Sequence, residues 1–389
     1  MPTTTRKVSW LAANARRMQR QGLTEPLPAS PTAVPALAGL MLGAHAQVLS
    51  AAELSLGLRL DGATRADVRA ALWQDRSLVK TFGPRGTVHL LATADASLWT
   101  GALSAVPGGG GQQAKDVRLT AAQTDAVVAA VAEALSGREL TADELTEAVV
   151  AGTGSWAGDL VMPAFQGMWP RWRQAMHTAA HRGVLAFGPN RGRQVTYTNP
   201  GVTPMPEDAA VAELVRRYLY AYGPATPQHF AKWLAAPARW AGDHFTGLAR
   251  SGVIEEVDFE GVGAAWVAAG DAGFPQPAEA AGGVRLLPYF DAFGIASQPR
   301  DRLFPGRAAE RALAGGQAGN YPLLLVDGTV AGVWHQRRSG KRITVTVEPL
   351  ETLAAARVKE LERETERLGA IAEGRTELTV GPVSVGPHA

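Results

Sequence analysis

Apolar positions recur at helical spacing, broken by short alternating stretches, as far as about residue 280. Beyond it, alternating segments dominate. One pattern repeats in the helical part. Thr64 opens TRADVRAALW, Thr141 opens TADELTEAVV and Thr226 opens TPQHFAKWL. Each threonine is placed to cap a helix by accepting a backbone N–H of the first turn. Thr141 and Glu144 have capping-box spacing. Pro227 stands at the first helical position, where its missing N–H costs nothing. A second helical stretch follows each start, and then a strand–turn–strand sequence: VKTFGPRGTVHLLA, RGVLAFGPNRGRQVTYTN and SGVIEEVDFEGVGAAWVAA. AAQTDAVVAAVAEAL and DAAVAELVRRYLYAYG predict a further amphipathic helix ahead of the second and third starts. Helix, capped helix, second helix and hairpin is the order of a winged helix, with the hairpin as wing. One such unit means little; three in tandem predict tandem winged helices.

PGGGGQQ at 107–113 and NPGVTPMPED at 199–208 read as linkers. Further on, VRLLPYFDAFGIA, YPLLLVDGTVAGVW and KRITVTVEPL predict strands with turns between them. ETLAAARVKELERETERLGAIA predicts one long amphipathic helix, and RTELTVGPVSV a closing strand. The expected fold is α+β in four parts. A first winged helix covers 1–106, a second 114–200 and a third 205–275, and a β-barrel-like domain covers 280–389.

Composition narrows the chemistry. The chain has 389 residues, 46% of them hydrophobic, a formal net charge of +2 and a pI near 9.0. That excludes a uniformly basic protein but not one with basic patches. The absence of cysteine removes disulfides, thiolate nucleophiles and cysteine-based metal sites. The basic N-terminus has no continuous apolar core, and no apolar run reaches the ~18 residues of a membrane span. A cytoplasmic monomer with no membrane partner is expected. No carboxylates cluster at metal-ligand spacing, so neither a metal nor a cofactor is implied, and a metal-dependent nuclease ranks low.

Basic residues gather in several places. Arg16, Arg17 and Arg20 share the first predicted helix. Arg171, Arg173, His177, His181 and Arg182 lie along the predicted recognition helix of the second unit, and Arg191 and Arg193 mark its wing tip. Arg337, Arg338, Lys341 and Arg342 crown a predicted hairpin, WHQRRSGKRITV, with Ser-Gly at the turn. Each cluster alone is accounted for as a solvated surface. Together they suit phosphate contacts along a DNA channel. Trp156, Trp169 and Trp172 read as core. His89, in PRGTVHLL, and Asp291, in PYFDAF, are candidates to line or orient that channel, although a core histidine explains His89 equally well.

The stretch GAHAQ, 43–47, places His45 and Gln47 in an apolar segment. A predicted helix ends near Gly43. Ser50 and Glu53 have capping-box spacing for another beginning at Ala51. An extended connector between them would point His45 and Gln47 to one side, and Ala46 and Val48 to the other, beside a helix N-terminus that favours anions. An imidazole accepts a proton near neutral pH, and a carboxamide can hold a water. Together they can seat and activate one water. The same residues serve without chemistry if His45 satisfies a backbone carbonyl and Gln47 caps a strand. The residues alone leave both open.

Five segments in order along the chain resemble the bacterial AlkZ/AlkX (YcaQ-like) DNA glycosylases: GAHAQ at 43–47, PRGTVHLLA at 84–92, RRYLYAYGPATPQHFAKWL at 216–234, LLPYFDAF at 286–293 and VDGTVAGVW at 326–334. The resemblance implies three winged helices and a C-terminal β-barrel around a DNA channel. It also implies a catalytic triplet, here His45–Ala46–Gln47, where the commoner first residue is Gln. The implied reaction is hydrolysis of the N-glycosidic bond of an N7-alkylated purine in double-stranded DNA, interstrand crosslinks among the candidate substrates. The Ala-, Gly- and Arg-rich usage suggests a GC-rich genome, and in the resembled family such a source implies self-resistance to a DNA-alkylating natural product. A non-enzymatic winged-helix regulator stands as the alternative. Strong preference for one operator sequence at physiological salt would distinguish it from a repair enzyme.

Overall fold

Ser9 accepts the amide of Ala12 and so starts the helix Trp10–Arg20. Its buried face carries Trp10, Ala13 and Met18 into a core shared with Val257, Phe259, Leu287 and Phe293. The computed structural model describes residues 5–30, 32–108, 114, 116–164, 167–275, 282–313 and 315–386. Helix and strand are mixed throughout the chain, an α+β protein with a curled half-barrel sheet. Two compact units form, one from Met1–Arg76 with Val215–Ala389 and the other from Ser77–Leu214. The expected four-part division does not coincide with them. Of the first part, the helices up to Trp73 fall in one unit, and its hairpin with the helix Ala96–Ala105 in the other.

In the first unit the half-barrel sheet runs Val284–Leu287, Leu323–Val326, Thr329–Ser339, Arg342–Pro349 and Arg375–Val380. Its neighbours are antiparallel except the last strand, which pairs parallel with Arg342–Pro349. A parallel pair needs a crossover, and the helix Ala355–Ile371 supplies it. Leu361, Leu368 and Ile371 of that helix pack with Leu54 and Leu58, which places the helix Leu49–Gly57 on the same core. A second sheet sets Arg6–Val8 parallel to Ile254–Phe259, itself antiparallel to Gly263–Ala268. The first of these strands has no alternating signal in the sequence.

Thr226 caps the helix Pro227–Leu234 as expected, with a histidine as reciprocal partner. His229 N–H donates to Thr226 Oγ1 at 3.2 Å, and His229 Nδ1 accepts from the Thr226 N–H at 3.3 Å. Only an unprotonated Nδ1 can accept. Burial, reinforced by Arg17, Lys232 and Arg300, lowers this pKa from 6.5 to about 4. The unfolded chain therefore takes up the proton first. Stability that is full above about pH 6.5 is lost as the pH falls towards 4. His229→Gln keeps an acceptor and should reduce the acid fall in Tm. Buried His181, also lowered to about 4, sustains the remainder. Thermal unfolding at neutral and acid pH checks this. An unaltered acid slope would refute it.

In the second unit Val88–Ala92, Leu78–Phe82, Ala186–Arg191, Gln194–Thr198 and Glu139–Thr141 lie in that order in one sheet. The helices Ala121–Ala134 and Ala142–Thr153 pack against Trp172, Met176 and Tyr197. The Thr141 and Glu144 capping box forms. The predicted recognition helix, along 171–182, forms as a 3-10 turn, Arg171–Ala175, that runs into six α-helical residues, Met176–His181. A hairpin, Leu160–Ala164 with Gly167–Pro170, precedes it. The 199–208 stretch is tied down: Val202 N–H donates to Gly183 O at 3.1 Å and Met205 N–H to Ser97 O at 2.9 Å. Of the other expected linker, 107–113, residues 109–113 lie outside the described residues.

Candidate active site

The helix Ala33–Leu40 ends as expected ahead of GAHAQ. Leu42 and Gly43 both take positive φ, 58° and 93°, and the Gly43 N–H donates to Ala38 O at 2.8 Å. That reversal releases the chain into two extended residues, Ala44–His45. The next helix is Leu49–Gly57, with Val48 as a cap that offers no side-chain bond. Ser50 is thus already helical, and the expected box with Glu53 does not form. Glu53 is buried and pairs with Arg69 at 2.6 Å.

The connector does not give His45 and Gln47 one shared environment. His45 keeps 7% of its surface and Ala46 none, whereas Gln47 and Val48 are exposed. The chain surfaces at Gln47 instead of alternating across a sheet face. The imidazole sits at the buried edge of the site, its ring 4.3 Å from that of Phe290 and tilted by 31°. The carboxamide stands in solvent at the threshold of a helix whose N-cap residue, Val48, makes no side-chain cap bond.

Other quoted segments hold this spot. The Tyr222 hydroxyl donates to Met41 O at 2.6 Å, just ahead of the reversal. Phe290 and Asp291 come from LLPYFDAF. Asp291 accepts two bonds from Arg59, at 2.7 and 2.9 Å, and one from Ser55 Oγ at 2.6 Å. Trp334, in VDGTVAGVW, donates its indole N–H to Leu287 O at 2.9 Å and so anchors the strand that leads into Phe290. Four segments far apart in sequence meet within one unit. Among the described residues, no three His, Asp or Glu side chains group as metal ligands would.

The candidate residues fare unequally. Asp291 is fully buried and committed to Arg59. His89 is buried, with Nδ1 2.9 Å from Thr87 O. Of the arginines of the first helix, Arg16 and Arg17 are internal braces rather than phosphate contacts, and Arg20 is half-buried. Arg16, buried and lowered to about 9, donates to Asp271 O and Gly273 O and lies 3.5 Å over the Phe274 ring. Arg17 is buried against backbone carbonyls. Arg20 donates to both oxygens of Asp271. Three arginines on one helix look basic in sequence, but two of them, Arg16 and Arg17, spend their donors on backbone carbonyls inside the protein.

Arg171 pairs with Asp159 at 3.2 Å, and Arg173 lies 4.3 Å over the Trp169 ring. Trp169 is exposed rather than core, whereas Trp172 is buried. Arg191 is exposed and pairs with Glu144 at 2.8 Å, and Arg193 is exposed in the turn between the strands. Arg337, Arg338, Lys341 and Arg342 are exposed on the long hairpin, closed by Ser339 opposite Arg342. Its turn is therefore Gly340–Lys341, one residue beyond the expected Ser-Gly. Arg338 donates to Ala372 O at 2.7 Å, and Arg342 pairs with Glu377 at 2.5 Å. Among the described residues, no helix is long and apolar enough to cross a membrane.

Sequence reasoning passed over Tyr222, Phe290, Arg59 and Ser55. One signal was available: a lone arginine in LSLGLRL and a lone aspartate in PYFDAF, opposite charges each set in an apolar run.

Comparison with known proteins places the chain in a family. The family described as DNA glycosylase AlkZ-like matches residues 38–371. The interstrand DNA cross-link repair glycosylase of Streptomyces sahachiroi is 32% identical over 351 residues, which cover 84% of this chain and 88% of that protein. The solved structure of Streptomyces sahachiroi DNA glycosylase AlkZ superimposes with a TM-score of 0.78 at 29% identity, spanning 96% of this chain and 100% of that one.

Proposed function

We propose, from the premise that this chain belongs to the AlkZ-like DNA glycosylase family and is a DNA glycosylase, that it hydrolyses the N-glycosidic bond of N7-alkylated purines with a water seated by His45 and Gln47. The observation that carries this reading is the exposed carboxamide of Gln47 two residues from an imidazole packed on Phe290. Alkylation at N7 gives the purine a positive charge and weakens its bond to C1′. The base departs neutral with the bonding electron pair, so no general acid has to protonate it. The transition state is oxocarbenium-like. Water oxygen bonds to C1′, the C1′–N9 bond breaks, and the water's proton passes to His45. The Gln47 carbonyl holds that water. The products are the free alkylpurine and an abasic site. A neutral, unmodified base would need the acid that this pair lacks, which makes the site selective for cationic lesions.

In this reading the capped helices and hairpins act as three winged helices along a DNA channel. The exposed Arg193, Arg337 and Lys341, with Arg191, Arg338 and Arg342 beside their carboxylate or carbonyl partners, supply phosphate contacts. Arg171 and Arg173 do the same from the second unit. The crosslink-repair name of the relative extends the proposal to interstrand crosslinks; a source that makes a DNA-alkylating natural product would use this activity for self-protection.

Duplexes carrying an N7-alkylguanine, and the same duplexes crosslinked through two N7 atoms, are incubated with the protein. Free base is quantified, and abasic sites are revealed by alkaline cleavage. Release from the cationic adduct without release from unmodified guanine is expected. If no N7-alkylpurine is released under any condition that supports duplex binding, the proposal fails.

A further inference from the structure

We propose that Arg59, Ser55 and Asp291 are positioning residues for the hydrolytic step, acting on His45 through the ring of Phe290. This rests on the reading that His45 takes the water's proton. The Arg59 and Asp291 side chains are fully buried and joined at both carboxylate oxygens, with Ser55 Oγ as a third donor. Removing two charges from water is costly, and such a pair seldom adds net stability. Its use is to fix one arrangement. The same carboxylate also accepts the Phe293 N–H at 3.0 Å and so caps the short helix Ala292–Ala296.

Those bonds hold the residue just before Asp291. Phe290 has φ +53°, a region that bulky side chains rarely enter. It persists only where the surroundings over-determine it. Its N–H donates to Gly319 O at 3.0 Å. Gly319 itself has φ +104°, and a Cβ there would come within 2.7 Å of Phe290 Cδ1. The ring so fixed lies against the His45 imidazole.

The connections form a closed circuit. Gln47 stands at the start of the Leu49–Gly57 helix, Ser55 in its last turn and Arg59 just past its end. From Arg59 the circuit crosses to Asp291, steps to Phe290 and returns to His45. The imidazole is therefore held in register with the helix that presents Gln47. A near-attack geometry needs that register, since a misplacement of about 1 Å can cost on the order of 10²-fold.

A double-mutant cycle tests this with full-length protein and single-turnover release from an N7-alkylguanine duplex. Phe290→Ala should lower the chemical rate by about tenfold or more, leave duplex affinity unchanged, and add nothing on a His45→Gln background. Phe290→Leu, which keeps most of the apolar volume without the ring, should behave alike and covers the case in which the alanine variant does not fold. Phe290→Tyr should restore the rate. Asp291→Asn should reproduce the loss wherever circular dichroism shows it folded. An equal loss on both backgrounds overturns the inference, because Phe290 would then act on structure and not through His45. A full rate in the Phe290 variants, with impaired His45→Gln, also overturns it and leaves the hydrolytic reading intact. A full rate in both His45→Gln and His45→Ala removes that reading first.

Discussion

Gln47→Ala should release base at least as slowly as His45→Ala, each about 10²–10⁴-fold below the natural protein, with duplex affinity unchanged. The two side chains differ in where they stand. Gln47 is exposed, so its loss costs the fold little and removes only what it does to a water. His45 is packed on Phe290, so its removal also opens a space and should lower Tm. A side chain that seats the nucleophile must act before one that takes a proton late, which ranks Gln47 first. The amide does not titrate, and the loss in Gln47→Ala should therefore be the same at every pH. An imidazole base works only when neutral, so the rate of the natural protein should fall at acid pH and that of His45→Gln should not. Single-turnover release across pH, with binding measured by fluorescence anisotropy, checks both. A Gln47→Ala protein of undiminished rate would remove the water-seating role.

Where a signal was local, the sequence carried it. Thr141 with Glu144 and Thr226 before Pro227 form the expected caps, because capping depends on residues three apart. The long helix Ala355–Ile371 and the strand Arg375–Val380 follow from simple periodicity. Failures came where distant partners decide. Ser50 with Glu53 has the spacing of a box, yet Arg69 claims the glutamate. His45 and Gln47 were legible as candidates from their polarity in an apolar run, but their separate environments were not. Ala46 is drawn into the core and the chain turns outward at Gln47, which no rule of alternation contains. The basic clusters were the least legible feature. Charge in sequence cannot distinguish Arg337, which is exposed, from Arg17, which is internal.

Arg17 also yields the largest expected change in stability. Its guanidinium is fully buried and donates to three backbone carbonyls: Gly223 at 3.3 Å, Pro224 at 3.2 Å and Gln298 at 2.6 Å. Burial lowers its pKa to about 10, so it remains charged at neutral pH. Arg17→Ala would leave those carbonyls without their donor and open a cavity beside Trp10 and Phe259, whose rings lie 5.6 Å from the guanidinium. A loss of about 3–5 kcal/mol is expected. Arg17→Met retains the stem volume, so the difference between the two variants separates packing from hydrogen bonding. Arg17→Lys keeps a charge but replaces a planar fork with a single donor centre, and should be destabilised as well. The effect should reach the site, because Gly223 follows Tyr222, whose hydroxyl holds Met41 O ahead of GAHAQ. Base release by Arg17→Met should therefore fall even at temperatures where the protein is folded. Equilibrium denaturation in urea measures the first effect, and single-turnover release at low temperature the second. An Arg17→Met protein that unfolds at the same urea concentration as the natural one would show that the three carbonyls do not depend on this cation.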